Sequence, residues 1–338
     1  MLTTEDTISE LSFSHDAKKV VFDRCSNEGC QIQVYDLETG ELAAYQSPKN
    51  ERWTMGKYSY DGKKFAFSVI PIKPKGGPEL GEMQIAVMDA NGKNFKKVTT
   101  GPGAKLYPTF SHNGKKILYA CAARIREKGR TPAGQYDAWE VNLETGVQTQ
   151  LTFFNYYYLG YLTYFPDDER FIFWGSMPSV FEGVGALDDS NFKNKMIELG
   201  KRGMSISGIA VMKGKELIPS PYSSFPKESF PQRPLLSNDG SVMIYEKSHS
   251  AGKYYLYSED GKHRLVSHSG SVHSVAISPD GQYFGSNFDD SVFIKRISDG
   301  KYIRSLFVRR SKEWEESVKK MPYMRLLPRT PARIINCE

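Results

Sequence analysis

The residues best suited to chemistry in this chain gather in and around the aromatic run FFNYYYLGYLTYF, residues 153 to 165. Tyr156, Tyr157 and Tyr158 offer ring faces with a hydroxyl handle, a combination that stacks on a sugar or on a peptide. At corresponding places beside other recurring turns stand Arg52 with Trp53, Lys105 with Tyr107, Gln232 with Arg233, and His273. Brought together, they would form an aromatic and cationic funnel suited to an acidic ligand or a peptide terminus. The competing reading is that aromatic residues favour strands and fill the interfaces between sheets.

Motifs for covalent, metal or nucleotide chemistry do not occur. GMSIS, residues 203 to 207, lacks the last glycine of a Gly-x-Ser-x-Gly elbow. GPGAK, residues 101 to 105, lacks the order of a phosphate-binding loop and precedes a strand. The six histidines are scattered, no cysteine cluster has zinc spacing, and His15 and His112 read as polar turn residues. The acidic doublets Asp167-Asp168, Asp188-Asp189 and Asp289-Asp290 lack calcium-loop spacing and read as turn carboxylates. No catalytic residue, metal or other cofactor is expected.

Cys25 and Cys30 frame Ser-Asn-Glu-Gly, which places them across a hairpin at a separation a disulfide can span. The pair favours an oxidising, extracytoplasmic or periplasmic location over two reduced thiols in the cytoplasm. No apolar run reaches membrane-spanning length, and MLTTEDTISE has no charged and then apolar region of a signal peptide.

The elements that must position these residues follow from a repeat. Six segments align: ELSFSHDAKKVVF, MGKYSYDGKKFAF, YPTFSHNGKKILY, YLTYFPDDERFIF, RPLLSNDGSVMIY and SVAISPDGQYFGS. Each has an alternating strand, a tight turn with Asp or Asn and in most copies Gly, and a second β-rich strand. Asp16, Asp61, Asn113, Asp239 and Asp280 can bond the backbone two residues on, and Gly62, Gly114, Gly240 and Gly281 tolerate positive φ. Two further strands follow most copies, so the unit is a four-stranded propeller blade. The expected fold is an all-β, six-bladed β-propeller, with seven blades as the alternative. The longest interval between turns holds DDSNFKNKMIELGKRG, which reads as an inserted helix capped by Asp189 or Ser190 and stopped by Gly200 or Gly203.

These segments resemble the repeats of TolB-like propellers, also called WD40-like or PD40 repeats, over roughly residues 8 to 308. The closing unit, HSGSVHSVAISPDGQYFGSNFDDSVFIKRISDG, is also similar to a true WD40 blade, with His268 and Asp290 near that family's structural His and Asp. It lacks the Trp-Asp pair at the end of the third strand. The resemblance implies an interaction scaffold, a subunit of a larger assembly, a peptidase lid or, in a few members, a lyase.

The chain divides into a propeller, residues 1 to 310, and a C-terminal tail, residues 311 to 338. Residues 301 to 338 hold ten Lys or Arg against four Glu, so the net charge of +6 resides there. Ser311 can cap a helix that Pro322 ends, and Trp314, Tyr323, Leu326 and Leu327, with Arg325 among them, are too apolar for a solvated tail. The tail, extended beyond Pro322, is therefore expected to dock on the propeller wall or on a protein partner with an acidic surface, and it is not needed to supply a strand to the blades. Nucleic acid and membrane are not expected partners, because the basic residues form no continuous cluster. The expected function is that of a non-enzymatic interaction module or non-catalytic subunit. The alternative is a ligand-binding or lyase-type propeller acting on an acidic saccharide at the channel mouth.

Overall fold

The structure, a computed structural model, describes residues 7–26, 29–73, 77–122, 135–181, 185–186, 188–222, 224–225, 231–247, 252–268, 274–288, 291–307, 316, 320, 324–326 and 333–336. Turn chemistry dictates the local architecture. In the first repeat the Ser14 hydroxyl donates to Asp16 Oδ1 at 2.6 Å, Lys18 N–H donates to the same carboxylate at 3.1 Å, and Lys19 N–H donates to Ser14 Oγ at 2.9 Å. The same Ser-x-Asp/Asn clasp recurs at Ser59, Ser111, Ser237 and Ser278. Each fixes one hairpin and hence the register of the strands it joins.

The strands form successive antiparallel sets. The first comprises β1 (Thr7–Phe13), β2 (Lys19–Ser26), β3 (Gly29–Asp36) and β4 (Leu42–Gln46). It is followed by β5 (Glu51–Tyr58), β6 (Lys64–Pro71), β7 (Gln84–Asp89) and β8 (Lys96–Lys97), then by β9 (Ala104–Phe110), β10 (Lys116–Ala122), β11 (Tyr136–Asn142) and β12 (Gln148–Gln150). The next set opens with β13 (Tyr156–Tyr164) and β14 (Arg170–Pro178). After an insertion of β15 (Val180–Phe181), β16 (Gly185–Ala186) and helix α1 (Asp189–Lys201), it ends with β17 (Gly208–Lys213) and β18 (Glu216–Ile218). Then come β19 (Pro231–Leu236), β20 (Met243–Lys247), β21 (Lys253–Leu256) and β22 (Arg264–His268), and β23 (Ser274–Ile277), β24 (Tyr283–Phe288), β25 (Ser291–Arg296) and β26 (Tyr302–Phe307).

The first strands pack in order: β1 against β5, β5 against β9, β9 against β13, β13 against β19, β19 against β23, and β23 back against β1. The ring therefore closes, which is the arrangement of a β-propeller. Its core lies between neighbouring sets. Val21 and Ile32 pack with Phe65 and Phe67, for example, and across the closing boundary Leu11, Phe13 and Phe22 pack with Ala276, Val292 and Ile294. Helix α1 begins one residue earlier than the sequence suggests, with Asp188 as its cap accepting from Asn191 N–H at 2.8 Å. It ends before Gly203 (φ 69°) and buries Leu199 in the cluster of Phe154 and Leu159.

Beyond Pro322 the described part of the tail is extended and lies on the outer edges of the propeller. It supplies two strands, β27 (Met324–Leu326), parallel to β26, and β28 (Arg333–Asn336), parallel to β4. The physical reason is that β26 and β4 are outer strands whose second edge otherwise leaves backbone groups unpaired. Trp314, Tyr323 and Leu327 lie outside the described residues, and Arg325 and Leu326 are described as backbone of β27.

Candidate functional site

The repeat delivers one residue per set to the same level of the central channel. Six positions before the turn Asp or Asn stand Glu10, Met55, Tyr107, Tyr161, Arg233 and Ser274. At this level β1, β5, β9, β13 and β19 each break register with their second strand. Met55, Tyr107, Tyr161 and Arg233 adopt left-handed φ of 62°, 56°, 56° and 49°. A bulge with a non-glycine residue in that region costs on the order of 1 kcal/mol and turns the side chain out of the pleat. Glu10, Met55, Tyr107 and Tyr161 line a cavity of about 150 Å³, with Lys57 and Thr109 two residues further along their strands.

Bonds between neighbours hold these groups. Lys57 Nζ donates to Thr109 Oγ1 at 3.2 Å; burial pushes its pKa down, and nearby Glu10 partly offsets this. The Ser274 hydroxyl donates to Glu10 Oε2 at 3.2 Å. Tyr158 donates to the Tyr107 hydroxyl at 3.3 Å, and burial raises the pKa of both phenols, so they remain neutral. Arg233 lies 5.8 Å from the centre of the Tyr161 ring, donates to the Tyr254 hydroxyl at 3.3 Å and has Nε 3.3 Å from the Glu246 carboxylate. The channel thus has a tyrosine wall with one arginine beside it and an acid and an amine facing it.

A second repeated position supports the first. Seven residues after the turn Asp stand Asp23, Ser68, Glu246 and Asn287, buried polar residues on second strands. Asp23 accepts from the Thr54 hydroxyl and from Met55 N–H at 2.8 Å, which fixes the bulge of β5. Ser68 donates to Lys105 O at 3.0 Å in the next set, and Asn287 Nδ2 donates to Ile8 O at 2.7 Å across the closing boundary. Asp23 is fully buried, and desolvation raises its pKa to about 7 against the hydrogen bonds that lower it.

The two mouths differ. At the turn end His112 stacks on Tyr60 at 3.7 Å, with Nδ1 3.1 Å from Asp168 and Nε2 2.8 Å from Asn238 O. These contacts tie together the turns of neighbouring sets, so His112 and Asp168 are more than solvated turn residues. At the opposite end Tyr157 and Met177 face each other across β13 and β14, exposed by 58% and 62%.

Of the residues singled out in the sequence, Tyr107, Tyr158 and Arg233 come together at the channel, and Tyr157 stands at its rim. Trp53 and Tyr156 do not join them. Trp53 is buried in a stack on Phe95 at 5.2 Å, and Tyr156 lies on Gly175, where a Cβ would approach its ring to 2.5 Å. Lys105 is buried with Nζ donating to Gly101 O at 2.7 Å. Trp53 and Tyr156 fill the interfaces between sheets, where their large rings gain most from leaving water, whereas burial of the Lys105 ammonium pushes its pKa down and is offset by backbone carbonyls. His273 lies outside the described residues, as does the Cys25 side chain; Cys30 is disulfide-bonded, and Cys25 is its cross-strand partner in register. Glu10, Tyr161, Lys57 and Asp23 were not evident from local motifs, but their fixed offsets from the turn mark them.

No family model matches the chain, and no curated protein sequence matches it. Solved structures do match in fold. TolB from Acinetobacter baumannii superposes with a TM-score of 0.57 at 17% identity, over 89% of this chain and 63% of that one. An oligogalacturonate lyase from Vibrio parahaemolyticus gives 0.53 at 12% identity, over 89% of this chain and 79% of its own. Hydrazine synthase of Kuenenia stuttgartiensis gives 0.51 at 12% identity, over 88% of this chain and 97% of its own. The chain therefore has a TolB-like β-propeller fold, and it spans under two thirds of the TolB chain, 63%. At these identities the likeness concerns fold alone.

Proposed function

We propose that the protein is a non-enzymatic propeller of six blades that serves as an interaction module or non-catalytic subunit and engages a protein partner at the channel end that carries Tyr157. The observation that carries this is the exposed pair Tyr157 and Met177 on neighbouring strands, above a channel whose acid, amine and guanidinium groups are each engaged by a neighbouring side chain. An aromatic and a thioether side by side at the surface suit a partner's apolar anchor. The basic residues of the tail add attraction for an acidic partner surface. The test is a photo-crosslinking phenylalanine analogue at position 157 in the native source. One protein adduct, lost on Met177→Asp and absent when the analogue replaces exposed Val147, is expected. Equal adducts from both positions would remove this reading.

A second reading has its own support. Tyr107, Tyr158, Tyr161 and Arg233 form a wall of ring faces and one guanidinium, the chemistry that recognises an acidic saccharide, and a structural neighbour is described as an oligogalacturonate lyase. Titration with oligogalacturonates, followed by calorimetry and by ultraviolet absorbance of unsaturated products, decides it. Binding lost on Arg233→Met would favour this reading, and no heat at millimolar ligand would end it.

A further inference from the structure

We infer that the C-terminal tail is a clasp that closes the propeller across the boundary between its first and last sets. Each set is built from strands consecutive in sequence, β1 to β4 at one end and β23 to β26 at the other. Every other neighbouring pair of sets is joined by a chain connector; this pair is not. Among the described residues, the sets on either side of this boundary are the two that carry a fifth strand: β28 on β4 and β27 on β26, while β8, β12, β18 and β22 carry none. The tail thus adds backbone pairing where the ring lacks covalent continuity.

Polar contacts cross the boundary between described residues, among them the Ser274 hydroxyl donating to Glu10 Oε2. Leu11 N–H donates to Ser274 Oγ at 3.0 Å, Asn287 Nδ2 donates to Ile8 O at 2.7 Å, and Arg304 Nη2 donates to Leu37 O at 2.9 Å. Apolar packing adds Leu11 and Phe13 lying over Gly285, where a Cβ would be 2.8 Å from Leu11. Opening the ring here exposes this packing at once. β27 pairs Ser305 with Met324 through Phe307 with Leu326, and β28 pairs Ala43 with Arg333 through Gln46 with Asn336. Residues 327 to 332 separate them, and such a link spans at most about 25 Å. Both strands can therefore stay paired only while the two outer edges stay close. Strand pairing on each edge also covers backbone groups that would invite another chain. A tether of this length keeps each strand at high effective concentration beside its edge.

The clasp predicts a localised effect. Deleting residues 311 to 338 should lower the melting temperature and speed hydrogen exchange in β1 and β23–β24 by at least about tenfold, with little change in β9–β11. A peptide of residues 311 to 338 added in trans should restore protection saturably. Where the truncated chain does not fold, Ile334→Pro and Ile335→Pro in the full chain take its place, since at least one removes a pairing N–H of β28. Unchanged melting and exchange would overturn the clasp and leave the tail a docking element for a partner. Uniformly faster exchange in every set would overturn it as well, by showing a general stabiliser without preference for the boundary. Neither outcome depends on whether a partner binds at Tyr157.

Discussion

Asp23→Asn should make the protein more stable relative to wild type as pH rises from 4 to 8. The Asp23 carboxyl is fully buried between β2 and β5, with desolvation lifting its pKa from 3.8 to about 7. Between those values the native state keeps a proton that the unfolded chain has released. Stability contributed by this group is therefore present below about pH 4, falls as pH rises, and levels off above about pH 7. A rise of that size corresponds to roughly 4 kcal/mol. For a chain of 338 residues that is about 6 °C in melting temperature. Asparagine keeps an acceptor for the Thr54 hydroxyl and for Met55 N–H, so the bulge at Met55 is retained while the titration is removed. Thermal melts of both proteins at half-unit steps from pH 4 to 8 give the difference curve, in which the other carboxyls cancel. A flat difference across that range would refute the buried, proton-bearing role assigned to Asp23.

Other perturbations test the packing around the site. Gly175→Ala should cost about 1–3 kcal/mol by overpacking, because its Cβ would press on the Tyr156 ring at 2.5 Å, and denaturant unfolding measures it. Gly146→Ala, where no atom lies within 4 Å but φ is 73°, separates backbone strain from overpacking by its response to Asn at the same place. For the Cys30 disulfide, pairing with Cys25 closes a short hairpin and contributes about 2 kcal/mol. Mass analysis of unreduced peptides should recover Cys25 and Cys30 in one linked species, and recovery of two alkylated thiols from native material would refute that pairing.

The sequence made the hairpins legible because their register is set by local chemistry. Ser14 with Asp16, and its counterparts, tie each turn to itself, and a Ser-x-Asp pattern is visible without any tertiary contact. The fourth repeat shows the same logic with a weaker signal: Phe165 replaces Ser, and Asp167 alone bonds Glu169 and Arg170 N–H. The channel was legible only in part. Tyr107 and Arg233 stand out by type, whereas Glu10 and Tyr161 belong with them because a bulge at one fixed offset turns all four toward the axis. Composition does not reveal a bulge; an offset counted from the turn does. The strands of the tail were not legible, since pairing over three or four residues on an outer edge depends on open backbone groups and leaves no periodicity to read.

A repeated fold gives function a place only where its repeats differ. Five of the six copies break register at the same offset from the turn, and a channel lined by identical residues there would offer a chemically uniform ring. Here the shared position carries an acid, a thioether, two phenols, a guanidinium and a hydroxyl. The phenols lie on adjacent strands β9 and β13, and the guanidinium stands on β19 beside them. Across the ring, Glu10 on β1 and Lys57 on β5 supply the opposite pair of charges. A ligand or peptide end entering such a channel meets different chemistry on each side and has one preferred orientation. The strain stored at Met55, Tyr107, Tyr161 and Arg233 is then the cost of aiming unlike side chains from a common scaffold.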